Sequence, residues 1–397
     1  MKHIATTFGI CVFGINAYIC SQSYAQLEIH EVPLSVSIGG AKSLSGNGST
    51  VIGVLGNGNA ARWRVSSGTT ELGAFTPSGV DETGDVVCGI SGSTAVKHTI
   101  SNGLQLLPPP ETYNDSIARA TSSNYLVGQV SQAGPVYQAA SWINGGWQPV
   151  ALPTESTWSV AADVSRIGVI AGNYQRSDGF MRSFWAFGGQ TRLLEGPNGS
   201  QSWIWDTAVG GNVFVGVVPI PNNPYSFTVG IPHLACVWAF GSGPNVLPLL
   251  PNTQRSDARA TSEWGYVIVG TSYGNLGSRA TVWAGERGPF DLNRYVECYT
   301  GLAPTSVLTN ALGVSDDGRT ILATSSDQRL FLITGFEIPL GPRTDLNGDS
   351  STDGADLGLL LVDWGACSAN CSSDINRDGE VNGADLGLLL INWGNCI

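Results

Sequence analysis

The sequence predicts a mainly β fold, a seven-bladed β-propeller of repeats of about 40 residues, followed by a small α-helical C-terminal module. Three observations predict it. Similar segments recur between residues 38 and 340, and each holds four short strand candidates in which apolar residues alternate. Gly is abundant at 52 of 397 residues, and charged residues make up only 13%, which is typical of strand-rich chains with tight turns. A second, shorter duplication fills the C-terminal end. The predicted domains are therefore residues 1–25, 26–340 and 341–397.

Residues 1–25 are typical of a secretory signal peptide. Lys2 and His3 precede an apolar stretch, and Ser23, Tyr24 and Ala25 form a small-x-small cleavage site. A membrane anchor is the alternative, but glycine and asparagine residues interrupt the apolar stretch. No other segment has about 18 uninterrupted apolar residues. We therefore expect a secreted protein, extracellular or attached to the cell surface, with no transmembrane segment in the mature chain.

The net charge of −12 excludes a nucleic-acid partner, because nothing in the sequence provides a basic face. Six cysteines remain after removal of the leader. Outside the cell, cysteines at such spacings favour disulfides over metal ligation, and the sequence leaves their pairing open. A bridge between Cys371 and Cys396 would clasp the second half of the C-terminal module. The six are Cys88, Cys236, Cys298, Cys367, Cys371 and Cys396.

The long repeats share three landmarks. An A-x-x-V-S-like segment leads into a Gly, Asn or Asp turn, a V-x-G strand follows, and an A-x-W strand comes after a variable loop. The recurrence indicates seven copies. The V-x-G position is Gly53, Gly89, Gly128, Gly172, Gly216, Gly270 and Ala323. The aromatic position is Trp63, Lys97, Trp142, Trp185, Trp238, Trp283 and Phe331, and the five tryptophans are expected to pack in the cores of the blades.

Four strands per repeat, arranged radially, predict the propeller. A row of seven small sheets hides its open edges only if it closes into a ring. The first two strands of each repeat are expected to form hairpins, with turns such as residues 45–48 and 315–318. Residues 27–37 or residues 336–340 are candidates for the outer strand that closes the ring. A β-solenoid and an array of two-sheet sandwiches are the alternatives.

These repeats resemble the bacterial extracellular HAF repeat family. The resemblance covers residues 38–335 and rests on the A-x-x-V-S, V-V-G and A-x-x-W elements. Residues 291–295, D-L-N-R-Y, are similar to the D-L-N-x-Y segment that precedes that family's last repeat. The resemblance implies a secreted repeat domain, and it supplies no catalytic residues.

The C-terminal duplication consists of two loops in register, residues 345–356 and 374–385. Each places oxygen ligands at positions 1, 3, 5, 7 and 12, the spacing of a calcium loop. Position 12 is Asp instead of the usual Glu, so the following helix must approach the ion more closely. Position 6 is Ser350 in the first loop and Gly379 in the second, so we expect the first site to be weaker. The sequence predicts two Ca²⁺ ions, held by Asp345, Asn347, Asp349, Ser351 (backbone) and Asp356, and by Asp374, Asn376, Asp378, Glu380 (backbone) and Asp385.

Neither loop has room for an entering helix, because Gly341 and Pro342 precede the first loop and Cys371 lies just before the second. A duplicated loop with only an exiting helix resembles the dockerin family. The W-G-x-C endings at residues 364–367 and 393–396 are similar to those of GC-type dockerin-anchored proteins. The resemblance covers residues 343–397. It implies a cohesin-like scaffold or a cell-surface protein as partner, and polysaccharide catabolism as context.

Each exiting helix has more apolar residues than one face can bury. A stripe with helical spacing is expected to face inward. Helices of about nine residues are marginal alone, so the remaining apolar residues are expected to contact a partner. Packing against the propeller is the alternative. The inward stripes are Leu357, Leu360, Leu361, Trp364 and Leu386, Leu389, Leu390, Trp393; the predicted partner-binding residues are Leu359, Val362, Leu388 and Ile391.

No catalytic residue is assigned, because the chain lacks H-E-x-x-H, G-x-S-x-G, Walker and zinc C-x-x-C motifs. A glycosidase needs two carboxylates about 5 to 9.5 Å apart. Candidates on the blade rims are Asp206, Asp257, Glu263, Asp316 and Asp317. Tryptophans outside the repeat position stack on sugar rings if they are exposed, or pack in turns and inner strands. They are Trp147, Trp158, Trp203, Trp205 and Trp264.

The sequence therefore predicts a secreted calcium-binding protein whose dockerin-like module attaches a β-propeller recognition domain to a cohesin-like scaffold or to the cell surface. A glycan is a candidate ligand of the propeller. The alternative function is a polysaccharide-degrading enzyme, a glycoside hydrolase or lyase. A structural surface protein is the second alternative.

Overall fold

The computed structural model describes residues 27–35, 43–132, 136–152, 156–220, 233–285, 289–301, 303–338, 344–347, 351–366, 371–376 and 378–394. The predicted signal peptide lies outside these residues. So do four side chains to which the sequence assigns a role or a pairing: Asp349, Ser350, Cys367 and Cys396.

Within the described residues the strands form seven antiparallel sheets around the repeats and one two-stranded sheet near the C-terminal end. Except for β1, which pairs with β27, strands that follow each other along the chain are neighbours in each sheet, so the chain completes one sheet before it enters the next. This arrangement confirms the seven-bladed propeller. The strands are β1 (Glu28–Val32), β2 (Val51–Val54), β3 (Ala60–Arg64), β4 (Gly68–Gly73), β5 (Thr76–Val80), β6 (Val86–Ser91), β7 (Thr94–Thr99), β8 (Gly103–Leu107), β9 (Asp115–Ser122), β10 (Tyr125–Ser131), β11 (Tyr137–Ile143), β12 (Gly146–Pro149), β13 (Ser156–Val164), β14 (Ile170–Arg176), β15 (Met181–Phe187), β16 (Gln190–Leu194), β17 (Trp203–Thr207), β18 (Val213–Pro219), β19 (His233–Ala239), β20 (Asn245–Val246), β21 (Thr253–Thr261), β22 (Val267–Gly274), β23 (Gly277–Ala284), β24 (Phe290–Asp291), β25 (Leu308–Val314), β26 (Thr320–Ser325), β27 (Leu330–Thr334), β28 (Gly365–Ala366) and β29 (Glu380–Val381). The helices are α1 (Leu292–Thr300), α2 (Gly354–Val362) and α3 (Gly383–Ile391), and Pro197–Gly199 form one 3₁₀ turn.

Blades 2 to 6 each comprise four consecutive strands, from β5–β8 to β21–β24. Blade 1 has β2–β4, and among the described residues on its inner side Ser35 forms a bridge with Val54 and Leu44 forms one with Val51. Blade 7 has β25–β27, and β1 pairs antiparallel with the outer side of β27. The ring is therefore closed by the N-terminal strand, within the first of the two predicted segments. The competing segment contributes Phe336, which is buried but lies outside any strand.

The V-x-G position has a structural reason. In blades 2 to 7 the register of the innermost strand shifts opposite this position, so that it skips one residue of the innermost strand. The bulge brings the backbone of the innermost strand against the glycine. A Cβ on Gly128 would overlap the carbonyl oxygen of Ile117, and a Cβ on Gly216 would overlap that of Trp203. The bulged residues, which the strand register skips, are Ser78, Arg119, Ala162, Trp205, Arg259 and Leu312.

The serine that ends the A-x-x-V-S segment closes the turn between the first two strands of a blade. Ser45 Oγ accepts a hydrogen bond from Thr50 N at 3.0 Å, and Ser262 Oγ accepts from Val267 N at 3.0 Å. In blade 2 the carboxylate of Asp81 does the same for Val86 N at 3.1 Å. These bonds satisfy buried N–H groups inside the turn, which is why a short polar side chain recurs there.

A second buried serine joins neighbouring blades. Ser116 of β9 accepts from Ala95 N of β7 at 2.8 Å and donates to Leu107 O at 3.2 Å. The same bond to a preceding blade is made by Ser159, Ser202 and Ser256, whose Oγ atoms accept from Ala139, Ser183 and Ala235 respectively. These four serines are buried, so they hold the blades together where water does not compete.

The repeat tryptophans pack in the blades as predicted, except that Trp185 is only half-buried. Trp238 and Trp283 also donate their indole N–H groups to Glu195 O and Pro248 O, each at 2.8 Å. Phe331, which replaces tryptophan in blade 7, is buried too.

The D-L-N-R-Y segment begins α1 between blades 6 and 7. Asp291 caps the helix by accepting from Asn293 N, and the Asn293 side chain holds both backbone groups of Leu308 at the start of blade 7. Tyr295 is buried and donates to Glu337 O at 2.8 Å. The motif therefore anchors the last blade.

Candidate functional site

Nine of the ten side chains and backbone positions assigned to calcium lie within the described residues, and Asp349 does not. In the second loop, Asp374 accepts from Asp378 N at 3.1 Å and from Gly379 N at 2.8 Å. Asn376 donates from Nδ2 to Asp378 Oδ2 at 2.8 Å. These bonds bring positions 1, 3 and 5 together in one turn of chain. Gly379 has a φ of +95°, a conformation that favours glycine at position 6.

The carboxylate at position 12 is buried in both copies and lies against the start of its own loop. Asp356 Oδ1 accepts from Leu346 N at 2.8 Å and from Asn347 N at 3.1 Å, while Oδ2 accepts from Asp353 N at 2.8 Å. Asp385 repeats all three bonds in the second loop. Asp353 and Asn382, at position 9, cap the helices that follow. The two ends of each loop therefore lie close together. Ligands from both ends can bind the same ion only in such an arrangement.

The two copies hold each other's loops. Gly365 and Ala366, after α2, pair with Glu380 and Val381 of the second loop. In the reciprocal place, Gly394 N after α3 donates to Thr352 O of the first loop at 2.8 Å. Leu360 and Leu389, one from each helix, are fully buried in a core shared with Leu346 and Val381. The module is therefore one unit in which neither copy is complete alone.

Part of the inward stripe predicted for these helices is wrong. Leu360 and Leu389 are buried, and Leu357 and Leu386 are half-buried, but four members of the stripes are exposed: Leu361, Trp364, Leu390 and Trp393. Because each helix has only nine residues and crosses a small core, only one residue of each helix lies at the centre of that core. Of the predicted partner-binding residues, Val362 is 82% exposed, Ile391 is 77% exposed, Leu359 is exposed, and Leu388 is half-buried. The exposed apolar surface is thus larger than the sequence predicts.

Among the described residues, no group of three or more His, Cys, Asp and Glu side chains converges as a metal-binding set. The loops offer a different donor set, in which Asn347 and Asn376 amides and the backbone carbonyls of Ser351 and Glu380 supplement the carboxylates. All these donors are oxygens, which suit Ca²⁺.

The cysteines divide into two groups. Cys88 and Cys236 are buried free thiols in blades 2 and 5, so their predicted participation in disulfides is wrong. Burial raises the pKa of the Cys236 thiol to about 12 and raises the pKa of Cys88 as well, so neither is a thiolate at neutral pH. Cys298 and Cys371 are disulfide-bonded. The proposed Cys371–Cys396 pairing involves a residue outside those described.

One end of the propeller channel is acidic. A pocket with an open volume of about 460 Å³ is lined by innermost-strand and turn residues of six blades, and its acids are Asp81, Glu82, Asp206 and Asp316. Asp206 is buried and accepts from Thr261 N of the next blade at 2.9 Å. Two of the predicted rim carboxylates therefore meet in this pocket. Glu263 lies in the neighbouring turn, and its backbone N–H donates to Asp316 O. Asp317 Oδ1 accepts from Arg319 N within its own turn.

The fifth predicted carboxylate, Asp257, belongs to a different group earlier along the innermost strands. We call it the Trp–Arg cluster, and it consists of Trp158, Trp203, Trp205, His233, Asp257, Arg259 and Tyr273. The ring centroids of Trp158 and Trp203 are 6.0 Å apart with a near-parallel tilt of 27°, and those of Trp203 and Trp205 are 5.6 Å apart. The Arg259 guanidinium lies 4.3 Å from the Trp205 ring centroid. All three indoles and Arg259 remain partly exposed.

Asp257 anchors the charged side of the cluster. It accepts from Arg259 Nη2 at 2.8 Å and from Tyr273 Oη at 3.0 Å, and His233 Nε2 also contacts it. Burial alone would raise the pKa of Asp257, but the hydrogen bond from His233 and the charge of Arg259 hold it below its ordinary value. Burial and the charge of Asp257 raise the pKa of Tyr273. Asp257 is therefore a structural carboxylate that fixes Arg259 in place.

Sequence reasoning placed Trp158, Trp203, Trp205 and Asp257 among its candidates but missed Arg259, His233 and Tyr273. Arg259 is the bulged residue of blade 6 and Trp205 is that of blade 5. Both residues occupy the same position of the repeat, directly after the alanine position of the A-x-x-V-S segment. An alignment of the repeats therefore marks this position in the sequence. Trp147 packs against Tyr113 with centroids 5.6 Å apart, and Trp264 is exposed in a turn at the acidic end.

No known protein family matches the chain, and no curated protein matches it. Solved structures that it resembles include Kuenenia stuttgartiensis hydrazine synthase, at 11% identity over 80% of this chain and 99% of that one, with a TM-score of 0.47. A chain of a mitotic checkpoint complex is 12% identical over 85% of this chain and 100% of that one, with a TM-score of 0.48. The Cps50 (Swd1) β-propeller domain of Myceliophteria thermophila is 8% identical over 78% and 99%, with a TM-score of 0.48.

In the described part of the chain, no helix combines the length and the apolar character needed to cross a membrane.

Proposed function

We propose that this chain is a secreted, non-enzymatic recognition protein. Its propeller presents a binding surface, and its C-terminal module is a dockerin-like unit that binds two Ca²⁺ ions and attaches the propeller to a cohesin-like scaffold or to the cell surface. Disulfide bonding at Cys298 and Cys371 supports an oxidising, extracellular setting.

The observation that carries this proposal is the reciprocal bonding of the two loop–helix copies. Each position-12 carboxylate accepts the same three N–H groups in its own loop, and each helix exit is bonded to the loop of the other copy. Turns rich in Asp and Asn that served only as connections would have no reason to repeat these bonds at both places.

The mechanism couples calcium to folding. Residues 343–397 carry nine Asp and Glu against two Arg, so the loops repel one another electrostatically without a cation. When bound, Ca²⁺ neutralises the clustered carboxylates. Asp356 and Asp385 then hold the start of each loop against the start of its helix, and the helices present their exposed apolar residues as one surface. Because the loops are cross-bonded, we expect the two sites to be coupled.

Isothermal titration calorimetry of the full chain with CaCl₂ tests the calcium step. We expect two bound ions in the wild type. Asp374→Ala should remove one ion and weaken the remaining one, whereas Asp178→Ala, an exposed acid of the propeller, should leave both unchanged. Hydrogen exchange with and without chelator provides a second readout. The amides of α2 and α3 should lose protection on chelation, while those of the propeller should not. No heat of calcium binding, with unchanged exchange in α2 and α3, would refute the proposal.

Docking is tested on the exposed face of the helices. Val362→Asp and Ile391→Asp alter residues that contribute little to the core, so calcium binding should persist while affinity for a cohesin-type scaffold falls. The single variants should have smaller effects than the double variant if either copy presents the face. Unchanged scaffold binding by the calcium-loaded double variant would contradict this assignment.

A polysaccharide-degrading enzyme is the second candidate, and one observation favours it: Asp206 and Asp316 line the same pocket at the acidic end of the channel. Release of reducing ends from polysaccharides by the full chain would support this alternative, provided that Asp316→Asn abolishes it. Binding without release would support the recognition role.

A further inference from the structure

The Trp–Arg cluster is built as a surface that receives a ligand. Its three indoles stand in a continuous row across blades 4 and 5, with centroids 6.0 and 5.6 Å apart, and none of them is fully buried. Tryptophans that served only to fill the core would be buried as Trp238 and Trp283 are. The row therefore offers partly exposed apolar ring faces to a ligand.

A fixed cation stands at the end of this row. Arg259 stacks on Trp205 at 4.3 Å and gives one terminal nitrogen to Asp257, which His233 and Tyr273 hold from its other sides. About a third of the Arg259 side chain is exposed. Because these contacts already fix the guanidinium, little further side-chain entropy is lost when a ligand binds. The planar guanidinium N–H groups fit the oxygens of a carboxylate or a sulfate.

The surroundings reinforce the preference for an anion. Arg255 precedes Arg259 on the same innermost strand, with its guanidinium 5.1 Å from the Tyr273 ring centroid. The one carboxylate of the cluster, Asp257, is already engaged. The acidic pocket with Asp81, Glu82, Asp206 and Asp316 begins directly after the cluster along the same innermost strands, so an anionic ligand is disfavoured beyond the cluster.

We propose that the Trp–Arg cluster is a binding site for an acidic glycan: the pyranose rings stack on Trp158, Trp203 and Trp205, and a carboxylate or sulfate group pairs with Arg259. The apolar C–H faces of pyranose rings match the indole faces. This inference deepens the recognition role proposed for the propeller. It is independent of the calcium loops, so the two proposals fail separately.

The test uses the full chain in chelator, which removes calcium from both the protein and the glycan. Biolayer interferometry compares four immobilised probes: polygalacturonate, dextran sulfate, uncharged dextran and single-stranded poly(dT). We expect one or both acidic glycans to bind at least about tenfold more tightly than dextran, with an affinity that falls as salt is added. Binding of polygalacturonate alone identifies uronates, and binding of dextran sulfate alone identifies sulfate esters.

Matched variants locate the site. Arg259→Lys keeps the charge but removes the fork, and Trp158→Ala removes one stacking face; each should weaken acidic-glycan binding about tenfold. Arg166→Ala and Trp264→Ala remove the same residue types from exposed positions in the turns at the acidic end, and should change affinity by less than about twofold. Thermal unfolding checks that each variant is folded. If a variant does not fold, hydroxyl-radical footprinting of the wild type decides the matter: the bound glycan should protect Trp158 and Trp203 but not Trp264.

Four results would overturn the inference. Equal binding of dextran would make the ligand neutral, and equal or tighter binding of poly(dT) would make it a nucleic acid or any polyanion. Losses as large in the control variants as in the cluster variants, or footprinting protection at Trp264 instead of Trp158, would place the contact elsewhere.

Discussion

Replacing Ser116 with alanine tests whether buried serines hold the blades of the propeller together. The Oγ atom accepts from Ala95 N at 2.8 Å and donates to Leu107 O at 3.2 Å, and both Ser116 and Ala95 are fully buried. Alanine leaves the Ala95 N–H without an acceptor in a place that water does not reach. An unsatisfied buried donor costs about 1–3 kcal/mol, and the lost bond to Leu107 adds about 1 kcal/mol. We therefore expect Ser116→Ala to destabilise the propeller by about 2–4 kcal/mol.

Thermal unfolding followed by circular dichroism measures this loss. For a domain of this size the expected decrease in Tm is about 3–6 °C. Ser101→Ala, at an exposed position, is the matched control and should shift Tm by less than about 1 °C. Hydrogen exchange adds a local readout, because the Ala95 amide should exchange faster in Ser116→Ala. The reasoning is refuted if the two variants have the same Tm, or if Ala95 keeps its protection.

Two further predictions concern the bulges and the charged cluster. Gly128→Ala should cost about 2–3 kcal/mol, because the new Cβ overlaps the Ile117 carbonyl, whereas Gly243→Ala, with open space around it, should be nearly neutral; chemical denaturation compares the two. Asp257→Asn should cost about 3 kcal/mol at pH 7, because it removes the partner of Arg259 and His233. The pKa of Asp257 is lowered by folding, so its contribution is present above the ordinary Asp pKa of about 4 and is lost as the pH falls below it. The Tm difference between the wild type and Asp257→Asn should therefore shrink as the pH falls below about 4, and a difference independent of pH would refute the assignment.

The repeats predicted the blades well because each landmark has a local cause. The V-x-G glycine marks the place where a bulged innermost strand presses on its neighbour, and the serine of A-x-x-V-S closes a turn within a few residues of itself. The tryptophan position fills the blade. Such interactions lie within one repeat, so they recur whenever the repeat does, and the pattern of residues is enough to predict them.

The helices of the C-terminal module were predicted less accurately. Their bounds and caps follow from Asp353 and Asn382, but helical spacing alone placed Leu361 and Trp364 inside, and both are exposed. A hydrophobic stripe shows which residues share a face of a helix. It does not show how wide the opposing core is, and here one leucine per helix fills the centre of that core.

The sequence by itself determined the number of blades, the turns, the positions of both loop–helix copies and the type of residue at each candidate ligand position, because these depend on contacts between residues close along the chain. Only the tertiary structure decided that β1 closes the ring, that Cys88 and Cys236 remain free, and that Trp158, Trp203 and Arg259 meet. Trp158, Trp203 and Arg259 belong to three different blades, and no contact between residues close along the chain links them. They come together because a ring places equivalent positions of successive repeats side by side around one channel.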